Sequence, residues 1–152
     1  MKTLARERDK AEILRRLKAI GPESVSRWGR MSAHQMVCHL GDAFRMAIGQ
    51  KPAGCTGSLA QRTVVKWIAL YLPLPWPGGI PTSQEIDQHR GGTRPSEFAA
   101  DVDECQALLA LVTAQPRPFE WPPHPIFGRM SDAAWLRWAY RHADHHLRQF
   151  GA

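Results

Sequence analysis

Ser131 to Phe150 read S-D-A-A-W-L-R-W-A-Y-R-H-A-D-H-H-L-R-Q-F. At about 100° per residue, with Trp135 set at zero, Arg137, Arg141, Asp144 and Arg148 fall together between about 180° and about 240°. That all-polar sector is expected to face water. The remaining arc holds Trp135, Leu136, Trp138, Ala139, Ala143, Leu147 and Phe150, so this helix is expected to be buried on most of its circumference. His142 and His146 lie within about 20° of the middle of the apolar arc, whereas His145, at about 280°, borders the arginine stripe. Two imidazoles one turn apart on one inward face can both reach a single metal ion if another element brings a third ligand.

Working outward from this helix, other periodic segments supply its partners. Lys2 to Ile20 is rich in helix formers, with Ile13, Leu17 and Ile20 at i, i+4, i+7, and it ends at Gly21-Pro22. Ser32 stands three residues before Gln35 as a capping box opening a helix that runs to Ile48, with Gly49 and Pro52 at its exit. Val64, Trp67, Ile68 and Tyr71 keep helical spacing within Leu59 to Leu72. Phe98, Val102, Cys105, Leu109 and Val112 recur in strict 4-3-4-3 steps and mark a further helix. Between these run two proline-rich connectors. Pro73, Pro75, Pro77, Gly78, Gly79 and Pro81 open an irregular stretch reaching to Arg94, and Pro116 to Pro125 form the second. Five helical segments without a convincing strand predict an all-α bundle, with residues 1–152 as a single domain and the connectors crossing its ends, where they could roof a cavity.

The third ligand is sought on the second helix. His39 lies at the edge of its apolar stripe, close to Ala43 and Met46, while His34 falls in the outward sector with Arg45. The expected metal ligands are therefore His39, His142 and His146. The alternative is a boundary histidine and two core histidines bonded to backbone carbonyls, with no ion, since H-x-x-x-H without an accompanying glutamate is a weak motif. Cys38 is about 100° away from His39 and is expected to be a small boundary residue, not a nucleophile. The six tryptophans are expected to anchor core and loops. No Gly-rich phosphate loop, nucleophile elbow or paired-carboxylate signature is present.

Composition narrows the class. A net charge of +6 comes from Lys and Arg distributed along the chain, with the densest cluster interrupted by Glu7, Asp9 and Glu12, so no nucleic-acid partner is expected. The most apolar run, Val64 to Leu74, contains Lys66 and Pro73 and is short of the ~20 residues of a membrane helix. Three cysteines at unrelated spacings, with no signal peptide before them, point to a cytoplasmic protein.

The run from Met31 to Asp42 (M-S-A-H-Q-M-V-C-H-L-G-D), the turn from His124 to Ser131 (H-P-I-F-G-R-M-S) and the ending from His142 to Gly151 (H-A-D-H-H-L-R-Q-F-G) resemble the DinB-like superfamily, and more closely one of its bacterial subfamilies of unknown function. The resemblance covers most of the chain in order. It implies a four-helix bundle, often dimeric, that binds a divalent metal, zinc or nickel, through one histidine of the second helix and an H-x-x-x-H pair of the last, here His39, His142 and His146. It further implies a thiol-dependent transferase or isomerase, in which a low-molecular-weight thiol such as bacillithiol or mycothiol is activated on the metal to attack a small electrophile. Arg129 and charged loops are candidates to hold such a thiol. A non-catalytic metal-binding or stress-response bundle is the other function compatible with the resemblance.

Overall fold

The computed structural model describes residues 1–80 and 82–152; Pro81, one of the prolines of the first connector, lies outside the described residues. The chain is all-helical, with α1 (Glu7–Lys18), α2 (Ala33–Ala47), α3 (Lys66–Tyr71), α4 (Phe98–Val112) and α5 (Asp132–Gln149). No strand occurs among the described residues, where the one isolated bridge pairs His124 with Gly128. None of the described helices is long and apolar enough to cross a membrane.

Local chemistry sets the helix ends. At α2 the capping box forms in both directions, Gln35 N–H donating to Ser32 Oγ at 3.1 Å and Ser32 N–H to Gln35 Oε1 at 3.0 Å. Gly49, at φ +79°, turns the chain out of that helix, a conformation that costs glycine little. Glu97 caps α4 by accepting from Ala99 and Ala100 N–H, and Ser131 caps α5 through Ala134 N–H. α1 starts later than the composition suggests. Leu4, buried before the helix begins, donates its N–H to Leu136 O at 3.1 Å, and Asp9 receives Thr3 N–H at 3.0 Å. Residues 2–6 thus anchor α1 to α5 instead of extending the helix.

α2 packs most extensively on α4, and α5 packs on α1, α2 and α3. The core runs between them around Trp135, Phe44, Met36, Leu40, Leu109 and Leu147, all essentially without exposed surface. Truncating Trp135 or Phe44 to alanine is expected to cost about 3–5 kcal/mol by loss of burial and cavity formation.

The helical segment predicted within Leu59 to Leu72 forms, but its spaced apolar residues Val64, Trp67 and Ile68 are 61%, 56% and 42% exposed, and Leu70 is the buried residue of this segment. The segment begins with a π-helical turn, Gln61–Val65, which shifts the phase of the side chains, and α3 packs on α5, with Lys66 also donating to Phe127 O and Arg129 O. The polar sector of α5 is not simply solvated. Asp144 binds Arg16 of α1 at 2.6 Å, Arg137 lies over the Tyr71 ring, and Arg141 donates to the carbonyls of Leu72 and Leu74; of the four, Arg148 alone is mostly exposed, its side chain at 52%.

Candidate metal centre

α2 and α5 meet where His39, 3% exposed, faces His142 and His146. One ring nitrogen from each of the three lies within 4.8 Å of the other two. The ring centroids are 5.1 Å apart for His39 and His142, 4.6 Å for His39 and His146, and 4.8 Å for His142 and His146, each pair close to perpendicular. His39 and His146 are buried; His142 keeps some exposed surface, but its Nδ1 is shielded from solvent. The structure thus brings together the three histidines singled out by the helical wheels. His145 is left outside the group, half-buried between Trp28 and Trp76 with centroids at 5.8 and 6.2 Å.

Hydrogen bonds on the outer sides of the rings decide which nitrogens point inward. His39 Nδ1 is 2.8 Å from Ile86 O, and a carbonyl can only accept, so Nδ1 carries the proton and Nε2 presents a lone pair to the centre. Gln149 Nε2 donates to Trp28 O at 2.7 Å, which leaves Gln149 Oε1 to accept from His146 Nδ1 at 2.9 Å. His146 Nε2 is therefore also unprotonated in the neutral ring. His142 Nε2 stands 3.2 Å from His39 Nε2, and its own Nδ1 has no protein partner. His142 is held by stacking, its ring 4.9 Å from Trp138 at an interplanar angle of 17°.

This arrangement fits a divalent metal ion. Metal–nitrogen bonds of 2.0–2.1 Å in a tetrahedral shell place neighbouring nitrogens about 3.3 Å apart, close to the observed 3.2 Å. Ligating imidazoles typically donate their other N–H to a carbonyl or amide, as His39 and His146 do. Burial pushes the pKa of all three histidines down, well below the ordinary value for His142 and His146, where neighbouring imidazoles add to the effect; at His39 the Ile86 hydrogen bond and Asp42 oppose it. Burial thus favours the neutral form that ligation requires.

Several residues that build the site carry no sequence signal of that role. The first connector is not wholly irregular. A 3₁₀ turn, Gln84–Ile86, brings the Ile86 carbonyl to His39. Asp42, one turn beyond His39 and fully buried, holds that connector by accepting from Thr93 N–H at 2.7 Å, Thr93 Oγ1 at 2.6 Å and Gln88 Nε2 at 3.1 Å, with Lys51 at 2.9 Å. Burial works to raise the Asp42 carboxyl, and the Thr93 and Lys51 contacts outweigh it, so it stays below the usual carboxylate range. Gln149 follows His146 by one helical turn, a spacing that could have exposed it. Trp76, from the proline-rich segment, covers the outer side of the group at 6.2 Å from both His142 and His145. Two open clefts, of about 270 and about 190 Å³, lie away from the three histidines, around Arg129 and Met130 near the start of α5.

His34 differs from its expected outward position. It pairs with Asp101 of α4 at 2.6 Å and meets the Phe98 ring edge-on. Cys38 is buried, and burial together with Asp101 pushes its thiol up to about 12, which agrees with its exclusion as a nucleophile.

A family profile described as a protein of unknown function, DUF1569, matches residues 4–152. No curated protein and no solved structure matches the chain.

Proposed function

Since this chain belongs to the DUF1569 family, whose description assigns no activity, its site must speak for its function, and we propose a divalent-metal protein with His39, His142 and His146 as ligands. The observation that carries this reading is the pair of outer hydrogen bonds to Ile86 O and Gln149 Oε1, which turn two unprotonated Nε2 atoms toward one point in the protein interior. His142 can donate a single Nε2–H toward His39 Nε2 at 3.2 Å, whereas a cation would satisfy the lone pairs of all three rings at once.

The proposed activity is that of a DinB-like enzyme acting on a small electrophile with a low-molecular-weight thiol as co-substrate. Zinc or nickel held by three neutral imidazoles would supply a Lewis acid with open positions, favouring thiolate over thiol or hydroxide over water near neutral pH. The chain's own residues bind, orient and shield. Ile86 O and Gln149 Oε1 keep protons on the outer ring nitrogens, Trp138 fixes the plane of His142, and Trp76 and Trp28 limit access of bulk water. The helices α1, α2, α4 and α5 fit the four-helix arrangement of that superfamily. Association into a homodimer is part of the same proposal, with exposed Leu59, Val64 and Trp67 as the apolar surface available for it.

Metal analysis of protein purified without a histidine tag tests the first part, with at least one zinc or nickel per chain expected and one fewer in His39→Ala. Incubation of the metal-loaded protein with a panel of thiols and a general electrophile tests the second. Retained metal with no turnover, and no thiol-induced change in the spectrum of the cobalt-substituted protein, would favour a non-catalytic metal-binding bundle. The cover of Trp76 over His142 is the feature that supports this second reading.

A further inference from the structure

α2 carries another pair of donors on the face it turns to α4. His34 and Cys38 stand one helical turn apart, and Asp101, in the first turn of α4, meets both of them. Asp101 Oδ2 lies 2.6 Å from His34 Nε2 and 3.6 Å from Cys38 Sγ, and the three atoms are all within 4.8 Å of one another. A nitrogen, a sulfur and an oxygen from such side chains make a zinc-type donor set. The sulfur–oxygen separation already matches the about 3.6 Å edge of a tetrahedral shell with bonds of about 2.3 Å and about 2.1 Å.

The His34–Asp101 edge is shorter than that shell requires by about 0.7 Å, since a hydrogen bond closes it. His34 has room to open, because its side chain is 20% exposed, and Asp101 keeps 11%, so an ion can enter from solvent. The carboxylate is oriented from outside the donor set. Ser96 Oγ donates to Oδ1 at 3.0 Å and Ser96 N–H to Oδ2 at 2.9 Å, the kind of outer support that metal carboxylates use.

We propose that His34, Cys38 and Asp101 form a second metal site, selective for a thiophilic divalent ion such as zinc over magnesium or calcium, with water completing the shell. On binding, the Cys38 thiol releases its proton to solvent as the sulfur–metal bond forms. The site shares no residue with the His39 group and holds or fails independently of it. Its sulfur also gives it a spectroscopic signature that an all-imidazole site lacks.

The test is cobalt(II) titration of the full chain carrying Cys55→Ser, which removes the exposed thiol, with stoichiometry followed by equilibrium dialysis. A cobalt–thiolate charge-transfer band is expected, retained in His39→Ala and lost in Cys38→Ser. His34→Ala, at a partly exposed position, should keep the helical fold by circular dichroism and weaken the band's apparent affinity at least about tenfold, as loss of a ligand does. Absence of the band in folded protein at excess cobalt overturns the proposal. So does a band that survives Cys38→Ser, which would assign it to Cys105, or one that His34→Ala leaves unchanged.

Discussion

Gln149→Leu isolates the hydrogen bond that sets the tautomer of His146. The substitution keeps the side chain's approximate volume and removes Oε1, 2.9 Å from His146 Nδ1, in a residue that is 3% exposed. A buried N–H left without an acceptor costs about 1–3 kcal/mol, so the folded chain is expected to lose stability by about that amount. Trp28 O also loses its donor, but Trp28 is 37% exposed and water can replace the amide there. The larger effect is on the metal. With no acceptor at Nδ1, the imidazole proton is free to move to Nε2 and cover the lone pair that faces His39. Loss of such outer partners lowers metal affinity about 10–100-fold, equivalent to about 1.4–2.8 kcal/mol. Competition with a chromophoric chelator measures the affinity, and nitrogen chemical shifts of the imidazoles report the tautomer. Gln149→Glu, which preserves an acceptor, should retain wild-type affinity or exceed it. Wild-type affinity in folded Gln149→Leu would refute the tautomer argument.

Replacing His142 or His146 with alanine should remove one metal equivalent per chain, whereas His145→Ala should keep most of it; equal loss in all three, by elemental analysis, would contradict the geometry of the group. Asp42→Asn removes the charge that faces Lys51 and ties Thr93 and Gln88 to α2. It is expected to cost about 3 kcal/mol in denaturant unfolding, at the low end for breaking a buried pair, and to weaken metal binding by freeing the Ile86 carbonyl; an unchanged midpoint would show that the clamp is not needed. The metal-free protein should also lose stability in acid. Burial holds His124 down at about 3 against 6.5 ordinarily, so the unfolded chain takes up a proton that the folded chain refuses. The contribution is present above pH 6.5 and declines toward pH 3, by about 1.4 kcal/mol per unit. His39, His142 and His146 add in the same direction, and thermal melts in chelator that coincide at pH 7.5 and pH 5.5 would refute it.

What could be read from sequence was what local periodicity encodes. The Ser32–Gln35 capping box, the α4 stripe and the inward pair His142 and His146 each depend on residues within a few turns of one another. His39 was legible for the same reason, as an imidazole at the edge of an apolar stripe. The misplaced residues are those whose surroundings come from elsewhere in the chain. A wheel cannot show that Arg16, 128 residues away, will cover Asp144, or that Asp101 will draw His34 inward. Nor does hydrophobic spacing reveal a π-helical turn, whose phase shift leaves Trp67 outside and Leu70 inside. The connector's contribution through Ile86 is a backbone carbonyl, and backbone groups leave no mark on composition.

The separation of 103 residues between His39 and His142 gives the site a topological meaning. An ion shared by the two would act as a reversible crosslink closing most of the chain into one loop. By the chain-entropy estimate for covalent crosslinks, confining about 100 residues this way removes about 4.7 kcal/mol of disorder from the unfolded ensemble. Wherever the crosslink persisted in partly open states, α2 and α5 could not separate, while α3 and the segment before it, which pack on α5 and on the connector around Pro125 to Arg129, could still detach. Hydrogen exchange with and without metal would then divide the molecule into a locked pair of helices and a peripheral arm whose opening the ion barely affects.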